Sequence, residues 1–283
     1  MDGALTEVTV EHLPDALRAR SLSTEALRSS FLVQGLFRHG AITLRHLDLD
    51  RVVLGGAVPA GAPLTLEAAA SMAAEYFAER REVGILNIGA SGAIAVDGRR
   101  YAMNKRDVLY VGRGSKSIVL ESDDATRPAR FYIVSYPAHA SHPTTHIDGG
   151  AATATDLGTT ERANCRRLSK YIHPGGVQSA QLVMGVTELA PGSVWNTMPS
   201  HTHARRSEVY LYFDLPNDAV VVHLMGEPAE TRHLIVRDEE VVLSPPWSVH
   251  SGCGTSNYTF CWAMGGENQD FADMQAVDMG DIK

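Results

Sequence analysis

Short apolar runs rich in β-branched and aromatic residues, separated by Gly, Asp and Pro, dominate the chain. In the first half they fall at residues 84–88, 93–96, 108–111, 117–120 and 130–136. Each has the length of a strand rather than of a helix. Asp97-Gly98 sits between two of them and predicts a hairpin turn. In the second half the runs return at 181–189, 208–213, 220–225, 233–236, 240–243 and 258–264. Many short strands at even spacing predict β-sandwiches or small barrels. Two helices interrupt the pattern. One is capped by Ser23 or Thr24 and carries Leu27, Phe31 and Leu32 on one side. The other is expected over residues 66–81, where Ala, Glu and Met accumulate. Residues 139–160, rich in Pro, Ser, Thr, Gly and Ala, read as a linker between the two strand series.

The two series also resemble each other. Arg80-Arg81-Glu82-Val83 can be laid over Arg206-Ser207-Glu208-Val209, and Asp107-Val108-Leu109 over Glu240-Val241-Val242, with an insertion in the second half. A duplicated β-domain is the expectation.

Composition narrows the function by exclusion. The 283 residues carry 25 Lys+Arg against 33 Asp+Glu, a formal net charge of −8. An acidic chain whose basic pairs are scattered is a poor binder of phosphate backbones, so nucleic acid is not an expected partner. Three cysteines, 165, 253 and 261, cannot all pair and form no C-x-x-C, which points to a reducing compartment. The first twenty residues contain Asp2, Glu7, Glu11 and Asp15 and no apolar core of a secretory signal. No apolar run approaches the ~20 residues that span a bilayer. The expectation is a cytoplasmic protein without a membrane partner.

The densest chemistry is Ser200-His201-Thr202-His203-Ala204-Arg205-Arg206-Ser207-Glu208. Residues i and i+2 of a strand share a face, so His201 and His203 project together. Glu208 follows at an odd offset and needs a turn or bulge to return to that side. His250, after Ser244-Pro245-Pro246-Trp247, offers a third imidazole. Such a set of three His and one carboxylate suits Zn²⁺, Fe²⁺, Mn²⁺, Co²⁺ or Ni²⁺.

At these residues the chain resembles the cupin superfamily, whose motifs place H-x-H before Glu and a Pro-containing turn before a His. Asn196-Thr197-Met198-Pro199, Glu230-Thr231-Arg232-His233, Trp247-Ser248-Val249-His250-Ser251-Gly252 and Gly266-Glu267-Asn268-Gln269 are similar to one particular family. So are Phe31-Leu32-Val33 and the stretch from Arg80 to Gly89. That family is the 4-deoxy-L-threo-5-hexosulose-uronate ketol-isomerases of bacterial pectin breakdown. The resemblance implies an all-β bicupin: two β-sandwich or jelly-roll barrels with a few short helices. It implies one Zn²⁺ per chain on His201, His203, Glu208 and His250, and a homo-hexamer. The domains are then expected at 1–145, a degenerate cupin without ligands, and at 146–283, the metal-binding cupin. Counting back from Glu82 by the motif spacing puts Glu75 and Phe77 where the two His belong, and Ser117 matches His250.

A divalent cation in such a site acts as a Lewis acid on carbonyl and hydroxyl oxygens, the need of an aldose–ketose isomerisation. The resemblance implies interconversion of 5-dehydro-4-deoxy-D-glucuronate and 3-deoxy-D-glycero-2,5-hexodiulosonate. The competing readings are the 5-deoxy-glucuronate isomerase of inositol catabolism, a cupin metal-dependent dioxygenase, and a non-catalytic sugar sensor. A uronate carboxylate calls for a cation on this acidic chain, and Arg205, Arg206, Arg232 and Lys170 are the candidates near the motifs. Tyr210 and Tyr212 share a face with Glu208 by period two and are candidate general acids. His223 and His233 are expected as packed strand residues, and His12, His39, His46, His139, His142, His146 and His173 as surface or linker residues.

Overall fold

The computed structural model of the chain describes residues 6–267 and 273–283; Asn268 and Gln269 of the family-like strings lie outside them. The strand runs read from the sequence form two sheet pairs with one repeated topology. The first seven-stranded sheet runs Thr6–Glu11, Ile42–Leu47, Val53–Ala57, Phe131–Pro137, Arg81–Asn87, Val108–Val111, Thr145–Ile147. Its counterpart runs Thr153–Leu157, Arg166–Ile172, Val183–Leu189, Thr259–Gly266, Arg206–Phe213, Glu240–Ser244, Leu32–Val33. Two four-stranded sheets repeat in the same way: Leu64–Thr65, Ile118–Ser122, Gly92–Val96, Arg99–Met103, and Trp195–Asn196, Ser251–Gly254, Val221–Glu227, Glu230–Val236. The expected hairpin is present, with Asp97 and Gly98 both at positive φ, as a type I′ turn requires. The all-β, paired-barrel expectation is met. Among the described residues no helix is long and apolar enough to cross a membrane.

The chain forms two compact units: residues 1–11, 35–152 and 171–182, and residues 12–34, 153–170 and 183–283. A single cut after residue 145 therefore does not follow the units, because residues 12–34 are part of the second. There the helix Thr24–Phe31, capped by Ser23 Oγ on Ala26 N at 3.2 Å, delivers Phe31 edge-on to Trp247 at 6.0 Å. Leu32–Val33 then extends the sheet beside Glu240–Ser244. Two family-like strings far apart in sequence meet in one wall.

Three expectations are corrected. Residues 66–81 do not form a helix: a 3-10 turn at Ala70–Met72 ends in Ala73 at φ +49°, and Phe77 and Ala78 are buried in the core of the first unit. Helix propensity is worth only tenths of a kcal/mol per residue, whereas burying one Phe contributes about 1.5–3 kcal/mol. Residues 139–160 are not merely a linker, since Thr145–Ile147 and Thr153–Leu157 pair at sheet edges. Side chains of an edge strand need not be apolar, and every residue of Thr153–Leu157 is exposed.

The third correction is a one-residue slip. Val83 lies opposite Val111 as Glu208 lies opposite Ser244, so the counterpart of Glu208 is Val83, not Glu82. Shifting a strand by one turns every side chain to the other face. Val83 and Ile85 accordingly join the barrel core, while Glu82 points the other way and is bonded by Tyr110 Oη at 2.8 Å. The motif spacing counted from Val83 falls on Tyr76 and Ala78 instead of Glu75 and Phe77.

Candidate metal centre

The strand Arg206–Phe213 is buried along its whole length, and period-two alternation turns Glu208, Tyr210 and Tyr212 into the second barrel. His201 lies on the short strand His201–Thr202, held by Gln275–Ala276. His203 follows it, and a turn at Ala204-Arg205 supplies the offset that Glu208 required. His250 leaves a turn closed by Ser248 N on Pro245 O at 2.9 Å, directly before Ser251–Gly254.

Four donor atoms converge. His201 Nε2 is 3.2 Å from His203 Nε2 and 3.0 Å from His250 Nε2. Glu208 Oε2 is 3.1 Å from both His203 Nε2 and His250 Nε2. All four donor atoms lie within 4.8 Å of one another, close enough for one divalent cation to take them together. One outer ring atom fixes a tautomer. His203 Nδ1 meets the Asp273 carbonyl at 3.1 Å, and a carbonyl only accepts, so Nδ1 carries the proton and the Nε2 lone pair faces the centre. Ser244 Oγ holds His250 Nδ1 at 3.2 Å.

The electrostatics agree with ligation. Burial, reinforced by His250, pushes His201 down to about 3. Burial alone would raise the Glu208 carboxyl, but His250 and His203 outweigh it and hold it well below its ordinary value. A neutral imidazole at His201 beside an ionised Glu208 suits a divalent cation. Burial, followed by the Glu208 charge, keeps the Tyr210 phenol protonated. His201, His203, Glu208 and Tyr210 open on a cavity of about 350 Å³ whose walls include Trp262, Phe260 and Leu168.

The other candidate residues are spread more widely. Tyr210 lines the cavity; Tyr212 does not, and its hydroxyl is bonded to His223 Nδ1 at 2.7 Å deeper in the barrel. Arg206 is 1% exposed and turned behind the site, its Nε 3.4 Å from His203 Nδ1, so it does not reach the cavity as a substrate ligand. Arg232 spends its guanidinium on the carbonyls of Ala19, Arg20 and Leu22 at 2.7–3.0 Å, where it clamps the N-terminal segment of its own unit. Arg205 is exposed and pairs with Glu267 at 3.7 Å. Lys170 shares parity with Arg166 and Leu168, but the cavity wall takes only the latter two, because each further pleat carries a strand about 7 Å along. Arg166 is the cationic wall residue that reading the motifs overlooked; its parity with Leu168 was the available signal. His46, expected at the surface, is buried against Ser71 Oγ at 2.8 Å, and His233, expected to be packed, is exposed.

His223 has its pKa pushed down to about 3, as His201 does, mainly by burial. The unfolded chain protonates both near 6.5, so below that pH it binds more protons than the folded chain. Stability is then lost as pH falls from about 6.5 toward 3, and protonation of Glu208 adds in the same direction at the lower end. The thermal midpoint of chelator-stripped protein is expected to drop steadily between pH 7 and 4; a flat or rising midpoint contradicts the assignment of buried neutral imidazoles.

Comparison with known proteins gives a consistent picture. A family model described as the KduI/IolB family matches residues 34–279. The chain is 53% identical over 264 residues to the 4-deoxy-L-threo-5-hexosulose-uronate ketol-isomerase of Caldicellulosiruptor bescii, covering 93% of this chain and 96% of that one. It is 51% identical over 261 residues to the enzyme of the same name from Halalkalibacterium halodurans, covering 92% and 95%. Among solved structures, an IolB-like protein from Salmonella typhimurium LT2 superposes with a TM-score of 0.67 at 12% identity, over 80% of this chain and 87% of that one. At that identity the match speaks for the fold.

Proposed function

This chain belongs to the KduI/IolB family, and from that premise we propose that it is a ketol-isomerase. It interconverts 5-dehydro-4-deoxy-D-glucuronate and 3-deoxy-D-glycero-2,5-hexodiulosonate in the cytoplasm. The observation that carries this reading is about 50% identity, over more than nine tenths of the chain, to proteins named for the same reaction.

His201, His203, Glu208 and His250 would hold one Zn²⁺ per chain in this proposal, supported by the convergence of four donor atoms within 4.8 Å of one another. When bound, the cation supplies Lewis-acid polarisation of neighbouring carbonyl and hydroxyl oxygens. The chain's own residues supply the rest. Ser244 and the Asp273 carbonyl keep His250 and His203 in orientation. Tyr210, protonated and facing the cavity, holds a proton for a substrate oxygen as carbonyl and hydroxyl exchange places on adjacent carbons. The aromatic wall of Phe260 and Trp262 keeps bulk water from that proton. A homo-hexamer, carried by the family resemblance, completes the proposal.

The test is turnover of 5-keto-4-deoxyuronate by purified protein, followed by chelation and metal return. Conversion is expected, lost on stripping and restored by zinc. Turnover confined to 5-deoxy-glucuronate moves the assignment to that isomerase, and oxygen uptake with restored iron moves it to a dioxygenase.

A further inference from the structure

A uronate brings a permanent negative charge into a cavity that already contains the Glu208 carboxylate, on a chain of net charge −8. That charge needs a cation. Among the described residues lining the cavity Arg166 is the one Lys or Arg. It lies on the strand Arg166–Ile172, with Leu168 beside it on the same face of the wall. Its neighbour Arg167 turns outward and is satisfied by Asp156 at 2.9 and 3.1 Å. The single side-chain hydrogen bond of Arg166 to another described residue runs from Nη1 to the Asn164 carbonyl at 2.9 Å, and among the described residues no carboxylate lies within ion-pair distance. The side chain is half-buried, and burial pushes the guanidinium below its ordinary value. A partly desolvated guanidinium with no acidic partner among the described residues, in a cavity wall that includes Leu and Trp, is costly unless an anion joins it. A neutral ligand would gain nothing from it.

We propose that Arg166 binds the carboxylate of the sugar acid and thereby sets the preference of this cavity for uronates over neutral ketoses. The inference rests on the proposed isomerase reading and adds the group that selects the substrate class. The planar guanidinium presents two parallel N–H donors to a carboxylate, a geometry an ammonium does not reproduce. Asn164 fixes one edge of the fork and leaves the other donors for the ligand. Arg206, Arg232 and Arg205, nearer to the motifs in sequence, are engaged elsewhere.

The test uses the zinc-loaded enzyme with Arg166→Gln, Arg166→Met and Arg166→Lys, on the uronate and on an analogue whose C6 carboxylate is reduced to a hydroxymethyl group. Loss of a charge-assisted bond made equally in ground and transition states is expected to raise KM for the uronate about 10- to 100-fold with kcat within about 3-fold. KM for the neutral analogue stays at the wild-type value, metal content is unchanged, and Arg166→Lys recovers part of the loss. In parallel, D-galacturonate is titrated calorimetrically into metal-stripped wild type and Arg166→Met. Heat of binding in the wild type and none in the variant supports the proposal even where the uronate is not turned over, a result that would defeat the isomerase reading alone. Equal uronate KM in wild type and variants overturns it, as does galacturonate binding that is equal in both proteins or absent from both.

Discussion

His203→Ala is expected to leave a folded protein that retains no stoichiometric metal and has lost about 1000-fold or more in kcat/KM. His203 is held at both ring nitrogens. Its Nε2 stands 3.2 Å from His201 and 3.1 Å from Glu208, while its Nδ1 is anchored on Asp273 O. Alanine removes one donor of four and opens a void beside a buried carboxylate. Among the described residues no further His, Cys, Asp or Glu joins the surviving set of two imidazoles and one carboxylate. A Lewis acid contributes several kcal/mol to such chemistry, and 1.4 kcal/mol is tenfold in rate, which gives the magnitude. Metal analysis, steady-state kinetics and a thermal scan check it together. An ion that binds only the folded chain raises its midpoint, so the variant should melt like stripped wild type, not like the loaded enzyme. Full activity in His203→Ala would remove the metal site from the mechanism.

The convergence of the four candidate donors was legible because its information is local. An i, i+2 pair, a carboxylate five residues on and a proline turn before a His specify positions on strands without reference to the rest of the fold. The sheet runs were legible for the same reason, since alternation and turn residues act over a few positions. What escaped depends on partners distant in sequence. Residues 66–81 have helical composition, yet Phe77 and Ala78 are claimed by the first barrel's core. Arg232 sits in a family-like string, but its role is set by carbonyls more than 200 residues away. Arg166 looks like any basic residue on a strand until the walls of the cavity are assembled around it. The matching of Glu82 with Glu208 failed through register: identical residue types one position apart face opposite sides of a sheet, and only the pairing of Val83 with Val111 reveals it.

That slip exposes the second large effect, at a glutamate with no part in metal binding. Glu82 is 0% exposed, and both of its oxygens are saturated. Oε1 accepts from Gln181 N at 2.7 Å and Leu182 N at 2.8 Å, and Oε2 from Ala180 N at 2.6 Å and Tyr110 Oη at 2.8 Å. Three consecutive backbone N–H groups thus close on one carboxylate within the first unit. All three residues lie outside the named strands, and the side chain does the work of a sheet edge. Glu82→Ala leaves three buried amides and a phenol without an acceptor. Removing one partner of a buried charged network costs about 3–5 kcal/mol, which for a chain of this size lowers the thermal midpoint by roughly 6–15 °C. Glu82→Gln is expected to recover little, because its amide nitrogen turns a donor toward donors. Tyr110→Phe deletes only one of the four bonds and should cost about 1 kcal/mol. The order Tyr110→Phe, then Glu82→Gln, then Glu82→Ala in increasing loss, measured by calorimetry on the metal-loaded protein, distinguishes an acceptor for backbone amides from a mere packing residue. If size alone mattered, the isosteric Gln would melt with the wild type.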